Sequence, residues 1–384
     1  MKLLIISSAP VIVINNKSYL YAPYEKEMQL WSKHVCEIQF CCPVWYEDKT
    51  LLITPITFPI VPTIVLQEFD IKTFLSTLKA IPKVFKISIQ LFKAFKEADY
   101  IHLRCPGNMG LIAAFVQLFY PKKKKTVKYA GNWDPKSSQP FTYRLQKWIL
   151  SNPFLTRNTQ VLVYGDWEGS SKNVRSFFTA TYSESEIQNS EFRIQDKLSL
   201  RVALRTHEIP FKFLFVGTLS PGKQPLFAIQ LVEELYKKGK NVSLDLYGEG
   251  VLRQDLESYI IQNNLAHIVA LKGNQTKEVV LKAYQTSHFL ILPSKSEGWP
   301  KVVAEAMFWG CFPIATAVSC VPFMLDYGKR GIVLKEDLTA DVLQLEAVFI
   351  NPEVYDHVVL EAMKWSRQFT TDVFESEIKK LLLT

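Results

Sequence analysis

The stretch Leu292–Ile314, LPSKSEGWPKVVAEAMFWGCFPI, reads as a strand, a short loop and a helix in succession. The strand ends near Pro293, the loop carries Glu297 and Gly298, and the helix opens at Pro300. Proline suits a first helical position, because that N–H would be unpaired anyway. The amides of Lys301, Val302 and Val303 are then expected to point out of the helix start and, with the helix dipole, to favour an anion such as a diphosphate. Glu297 and Glu305 stand eight residues apart, one in the loop and one a turn inside the helix. A carboxylate that accepts hydrogen bonds from vicinal hydroxyls holds a sugar or a ribose well. Spacing alone also allows Glu297 to be a helix-start charge and Glu305 a solvated one.

Two further segments repeat the strand–loop–helix theme. In FVGTLSPGKQP (Phe215–Pro225) a strand ends at Gly217 and Lys223 is expected at the next helix start. A lysine there opposes the dipole unless a phosphate neutralises it. In LYGEGVLRQDLE (Leu246–Glu257) Gly248 and Gly250 flank Glu249, which allows a tight turn or close approach to a ligand. Arg253 stands where a dinucleotide fingerprint needs glycine, so that reading is weak.

Strand and helix signals alternate through both halves of the 384 residues, which points to parallel sheets covered by helices. The length suits two domains. The expected division is an N-terminal domain over 1–183, a connection over 184–210, a C-terminal domain over 211–351, and helices over 352–384 that pack back toward the first domain. In the first half, helices are expected at Ile71–Ala80 and Pro82–Ala98, the second opened by Pro82. The apolar run at Leu3–Ile6 is too short for a signal peptide and reads as a first strand. No apolar run is long enough to span a bilayer. The six cysteines show no metal or redox spacing and read as reduced thiols of a cytoplasmic protein.

Residues 212–334 resemble the C-terminal domain of glycosyltransferase family 4, which has the GT-B fold: two Rossmann-like doubly wound domains facing across a cleft. The resemblance rests on Gly217, Leu219 and Lys223, on the Gly248–Gly250 turn, and on the run from Pro293 to Thr316 with its glutamate pair. It implies a retaining, metal-independent hexosyl-type transferase whose donor is a nucleotide sugar such as a UDP- or GDP-sugar, with no cofactor. Glu297 would contact the donor sugar and Lys223 the diphosphate, as the catalytic pair. Glu305 would hold the ribose, Leu271 and Lys272 would border the base, and Ser294, Gly298, Trp299, Pro300, Lys301, Val302 and Val303 would line sugar and phosphate. Gly217, Thr218, Gly248, Glu249 and Gly250 complete the donor set. Thr218 stands where an arginine is common, Trp299 and Pro300 replace a Phe-Gly pair, and Ser319 and Cys320 replace two glycines. No D-x-D pair is present, in keeping with metal independence. The mechanism expected is front-face attack with the leaving phosphate accepting the proton.

The resemblance gives the N-terminal domain to the acceptor, a glycan or lipid-linked glycan of cell-surface polysaccharide or lipopolysaccharide synthesis. Its expected contacts are Arg104, Asn132, Trp133 and Asp134; His102 reads as a core histidine. Residues 1–180 carry 23 Lys and Arg against 12 Asp and Glu, so the whole positive excess lies there. Lys79, Lys83, Lys86, Lys93 and Lys96, with Phe85, Phe92 and Phe95 nearby, and the run Lys122–Lys125 suit either an anionic membrane surface at the inner face of the membrane or a solvated face. No nucleic-acid-reading motif accompanies the charge. The alternative function is a catalytically silent GT-B subunit that binds glycan or acts as a scaffold.

Overall fold

The computed structural model describes residues 1–49, 51–188 and 210–383. Of the expected connection over 184–210, residues 189–209 lie outside the described residues. The chain divides into two compact units. Unit 1 runs from Met1 to Phe178 and takes in the chain from Phe374 on; unit 2 is Thr179–Val373.

Unit 1 contains strands β1 (Lys2–Ile6), β2 (Val11–Ile14), β3 (Lys17–Tyr21), β4 (Glu37–Cys42), β5 (Val44–Trp45), β6 (Ile53–Pro55), β7 (Ile60–Val65), β8 (Tyr100–Cys105), β9 (Lys124–Tyr129), β10 (Thr159–Tyr164) and β11 (Val174–Phe177). Its helices are α1 (Ala22–Ser32), α2 (Phe74–Glu97), α3 (Asn108–Val116) and α4 (Phe141–Ser151). The main sheet runs β11-β10-β9-β8-β1-β4-β7, and every pair in it is parallel. A small second sheet, β5-β2-β3-β6, is built on the β2–β3 hairpin.

The two helices expected between Ile71 and Ala98 are one. α2 starts at a Thr73–Ser76 capping box and runs through Pro82 without breaking. Pro82 is exposed, so the carbonyl it leaves without a helical donor can turn to water. Ala80, Ile87, Leu91, Ala94 and Phe95 form its buried face; Phe95 is thus core rather than part of the basic surface.

Unit 2 begins with α5 (Glu184–Gln188) and continues with β12 (Phe211–Val216), α6 (Pro225–Lys237), β13 (Val242–Tyr247), α7 (Arg253–Gln262), β14 (Val269–Gly273), α8 (Lys277–Thr286), β15 (Phe289–Leu292), α9 (Lys301–Phe308), β16 (Phe312–Thr316), α10 (Val321–Met324), β17 (Ile332–Leu334), α11 (Leu338–Phe349) and α12 (Pro352–Ser366). A last helix, α13 (Thr371–Leu383), ends the described chain. The parallel sheet runs β14-β13-β12-β15-β16-β17. Strand order reverses between β12 and β15, so the loops after these two strands turn to opposite faces and open a crevice at their carboxyl ends. The strands are near-continuous apolar runs because helices cover both faces. Phe213 and Phe289 stack at 4.8 Å across the β12–β15 pair, and Tyr355 closes against Phe289 and Phe312.

The loops after β12 and β13 touch through their backbones. The Leu219 amide donates to the Glu249 carbonyl at 3.0 Å. A Cβ on Gly248, whose φ is +140°, would lie 2.0 Å from the Gly217 carbonyl oxygen; one on Gly250 would lie 2.3 Å from that of Leu219. These glycines therefore serve loop-to-loop contact. Gly248→Ala is expected to cost about 3 kcal/mol, whereas Gly222→Ala should stay within about 0.5 kcal/mol of the parent. A Cβ on Gly222 meets nothing within 4 Å. Thermal unfolding of the two variants measures the contrast.

Candidate active site

The crevice of unit 2 is built from the loops after β12 and β15. The Lys295 amide donates to the Gly222 carbonyl at 2.9 Å, which ties the two loops together. α6 opens at Pro225, so Lys223 lies in the turn before the helix rather than at its start. Gln224 takes the left-handed φ of 50°. Its amide side chain donates to the Pro293 carbonyl at 2.7 Å and to Glu336 at 2.9 Å, which offsets the cost of about 1 kcal/mol for that conformation. Held in this way, Lys223 places its Nζ 2.5 Å from Glu297 Oε1. The Glu297 side chain is only 9% exposed and that of Lys223 is 29% exposed. The two residues expected as the catalytic pair therefore meet in one contact.

α9 comprises Lys301–Phe308, with Pro300 as its N-cap residue. The Val303 amide, expected to be free for an anion, donates to the Pro300 carbonyl at 3.0 Å. That leaves the Lys301 and Val302 amides, the first two of the helix, without an intrahelical acceptor. Ser319 Oγ and Cys320 Sγ both donate to the Gly298 carbonyl, at 3.0 and 3.2 Å. Ser319 takes a left-handed φ of 51°, a conformation glycine adopts at no cost, and its hydroxyl fastens the loop in compensation. Trp299 is buried and stacks on Trp365, so it supports the loop from behind. Ser294 is buried as well, and its carbonyl accepts from Thr316 Oγ1.

Glu305 sits apart from this pair. Its carboxylate accepts from Thr181 Oγ1 at 2.7 Å and from Tyr284 OH at 3.1 Å. It borders an open recess lined also by Trp299, Lys301 and Phe308. Burial raises its pKa, against the opposing pull of these two hydroxyls and of Lys301. A carboxylate offers about four lone-pair positions, so two hydroxyl donors leave capacity for a diol. Glu249 pairs with Arg253, Lys272 with Asp245 at 3.2 Å, and Leu271 packs against the core. Thr218 is exposed and carries no charge where an arginine was noted as common. Lys295, two residues before Glu297 on the post-β15 loop, is a further exposed cation on these loops, which the sequence reading did not single out.

In unit 1 the expected acceptor residues also make contacts within the fold. Arg104 pairs with Glu27 at 2.8 Å and lies over the Tyr24 ring; Lys128 takes the other Glu27 oxygen at 2.8 Å. Trp133 is buried against Tyr129. Asn132 and Asp134 accept from backbone amides of their own turn. His102 is a core residue bonded to Thr126 at 2.8 Å, and burial lowers its pKa to about 3. The open recess at the β1–β8 reversal is lined instead by Ser8, Glu68, Gly107, Asn108 and Tyr143. Glu68 follows β7 and Tyr143 lies on α4. The rule that ligands gather at strand carboxyl ends would have found the first but not the second.

Residues 196–364 match the model of the glycosyl transferases group 1 family. An uncharacterized glycosyltransferase of Methanocaldococcus jannaschii is 27% identical over 44% of this chain and 46% of its own length. A putative colanic acid biosynthesis glycosyltransferase of Salmonella typhimurium is 24% identical over 46% of each chain. The chain thus spans a little under half the length of the curated relatives it matches. The crystal structure of Anabaena HepE in complex with UDP and glucose has a TM-score of 0.65 at 15% identity and covers 100% of this chain and 99% of that one. That likeness shows the fold, GT-B, with its two α/β units. The group 1 region contains both crevice loops and α9.

Burial would raise the Glu27 carboxyl, but Arg104 and Lys128 outweigh it and hold it well below the usual carboxylate value of 4.5. A depressed pKa contributes stability above 4.5 that is lost as pH falls below it. Glu27→Gln, which leaves two cations uncompensated, is expected to cost about 3 kcal/mol near neutral pH. The gap from the parent should narrow in acid, as a pH series of unfolding midpoints will show.

Proposed function

We propose that the chain is a retaining glycosyltransferase that moves a hexosyl-type sugar from a UDP- or GDP-sugar to a glycan or lipid-linked glycan, in cell-surface polysaccharide or lipopolysaccharide synthesis. The observation that carries this reading is the Lys223–Glu297 contact at the strand-order reversal of the group 1 unit. The family match and the glycosyltransferase names of its relatives support it. The UDP and glucose bound by HepE support a nucleotide-sugar donor. The colanic acid relative supports a surface polysaccharide.

In this mechanism the bond between the anomeric carbon and the β-phosphate oxygen breaks, and charge gathers on the leaving diphosphate. Lys223, Lys295 and the first amides of α9 stabilise that charge, so the cations of the chain do the work a metal does elsewhere. Glu297, within reach of Lys223, takes a sugar hydroxyl and fixes the donor. The acceptor oxygen forms its bond on the face the phosphate leaves, and its proton passes to the departing phosphate oxygen. Glu305 receives the ribose hydroxyls on the oxygens left after Thr181 and Tyr284. The acceptor enters the unit 1 recess, where the Glu68 carboxylate and the Ser8 and Tyr143 hydroxyls suit sugar hydroxyls. A lipid-linked acceptor sets the enzyme at the inner face of a membrane.

Release of nucleoside diphosphate from a panel of nucleotide sugars tests the reading. The parent is expected to turn over one donor, with Lys223→Ala and Glu297→Ala each slower by about a hundredfold or more and still folded. A parent that binds UDP in a thermal-shift assay yet cleaves no donor would identify a silent subunit. Full turnover in both variants would remove the pair from the chemistry.

A further inference from the structure

α2 has two apolar faces and buries only one. The other carries Phe74, Leu78, Ile81, Phe85 and Ile89, which recur at intervals of three and four residues and so form one stripe along the helix. Phe74 is 78% exposed, Ile81 61% and Phe85 69%. Phe92, on the same helix, carries the stripe on to Phe119: the two tilted rings lie 5.1 Å apart, and Phe119 is 69% exposed. A band of this length is unusual on a soluble surface and marks a contact.

Charge decides what it contacts. α2 holds five lysines and one glutamate, and the four exposed ones, Lys79, Lys86, Lys93 and Lys96, flank the apolar stripe. Lys122 and Lys124 are exposed just past Phe119. Lys123 bonds the carbonyls of Lys96 and Ala98, which fixes this segment against the end of α2. Protein interfaces are depleted in lysine, whereas phenylalanine and leucine bordered by lysine are what an interfacial helix presents to acyl chains and anionic headgroups. Long lysine stems lie along apolar surface while their ammonium groups reach phosphates. No helix among the described residues is long and apolar enough to cross a membrane, so the contact is peripheral.

We infer that unit 1 docks on an anionic phospholipid bilayer by inserting the Phe74–Ile89 stripe of α2 and Phe119 at the headgroup–acyl boundary, with the flanking lysines on lipid phosphates. The inference does not depend on glycosyl transfer, since binding is read without donor or acceptor.

Sedimentation of the full chain with phosphatidylglycerol-containing vesicles and with neutral phosphatidylcholine vesicles tests it. The parent should pellet with the former and not the latter, and added salt should weaken binding. Leu78→Glu/Phe85→Glu and, separately, Lys79→Glu/Lys86→Glu should each weaken binding by about tenfold or more. Because these side chains are exposed, the melting temperature should not change. A parent that stays in the supernatant with anionic vesicles overturns the inference, as does unaltered binding by the Leu78→Glu/Phe85→Glu variant. It also falls if the stripe joins two copies: size exclusion would then show a dimer in the parent and a monomer in the variant, with no vesicle binding by either.

Discussion

The two loops at the carboxyl ends of β12 and β15 are tied to each other, and the geometry of the crevice in unit 2 depends on that tie. One contact is backbone, the Lys295 amide on the Gly222 carbonyl; another is the Lys223–Glu297 ion pair. A parallel sheet whose strand order reverses sends these loops apart, so without a tie each would move with its own helix. The tie sets a cation and a carboxylate at a fixed spacing before any ligand arrives. Preorganised charge of this kind gains most of its effect because it need not reorganise during reaction.

Supporting contacts surround the tie on three sides. Gln224 fastens the turn before α6 to the end of β15 through the Pro293 carbonyl. Ser319 and Cys320 hold the Gly298 carbonyl from the loop after β16. Gly248 and Gly250 let the loop after β13 press on the backbone at Gly217 and Leu219. Ser319 and Cys320, where the resemblance expects two glycines, each add a hydrogen bond to the Gly298 carbonyl. The substituted loop thus keeps its shape with different atoms.

Much of this was legible in the sequence. Alternating strand and helix signals revealed two doubly wound units because burial on both faces of a parallel sheet leaves a strong pattern. Glu297 and Lys223 stood out because loops at strand ends carry few residues and each polar one is conspicuous. What the sequence did not show depended on partners distant in it. Arg104 looked available until Glu27, 77 residues earlier, supplied its counter-charge. Trp133 looked like a loop aromatic, but Tyr129 and the core cover it. Pro82 was read as a helix start because a local rule cannot know that the freed carbonyl faces water. The β2–β3 hairpin and its small sheet escaped notice because their strands are short and follow β1 without a change in composition.

The basic excess of residues 1–180 resolves into two populations once each ammonium group is followed to its partner. Lys123, Lys125 and Lys147 turn onto backbone carbonyls, and Lys128 and Arg104 onto Glu27. These cations are consumed in holding helix ends and loops, and burial accordingly lowers the pKa of Lys125 to about 8. Lys79, Lys86, Lys93 and Lys96 on α2 and Lys122 just past Phe119 remain outward, as do Lys17, Lys72, Lys136 and Lys172 elsewhere on the unit. A uniformly basic surface would serve solubility alone. Along α2 exposed lysines border an uncovered apolar stripe, so this face of unit 1 combines attraction to negative charge with affinity for hydrocarbon. The same helix that buries Leu91 and Phe95 to complete the core of unit 1 therefore carries, half a turn around, the features of a second interface.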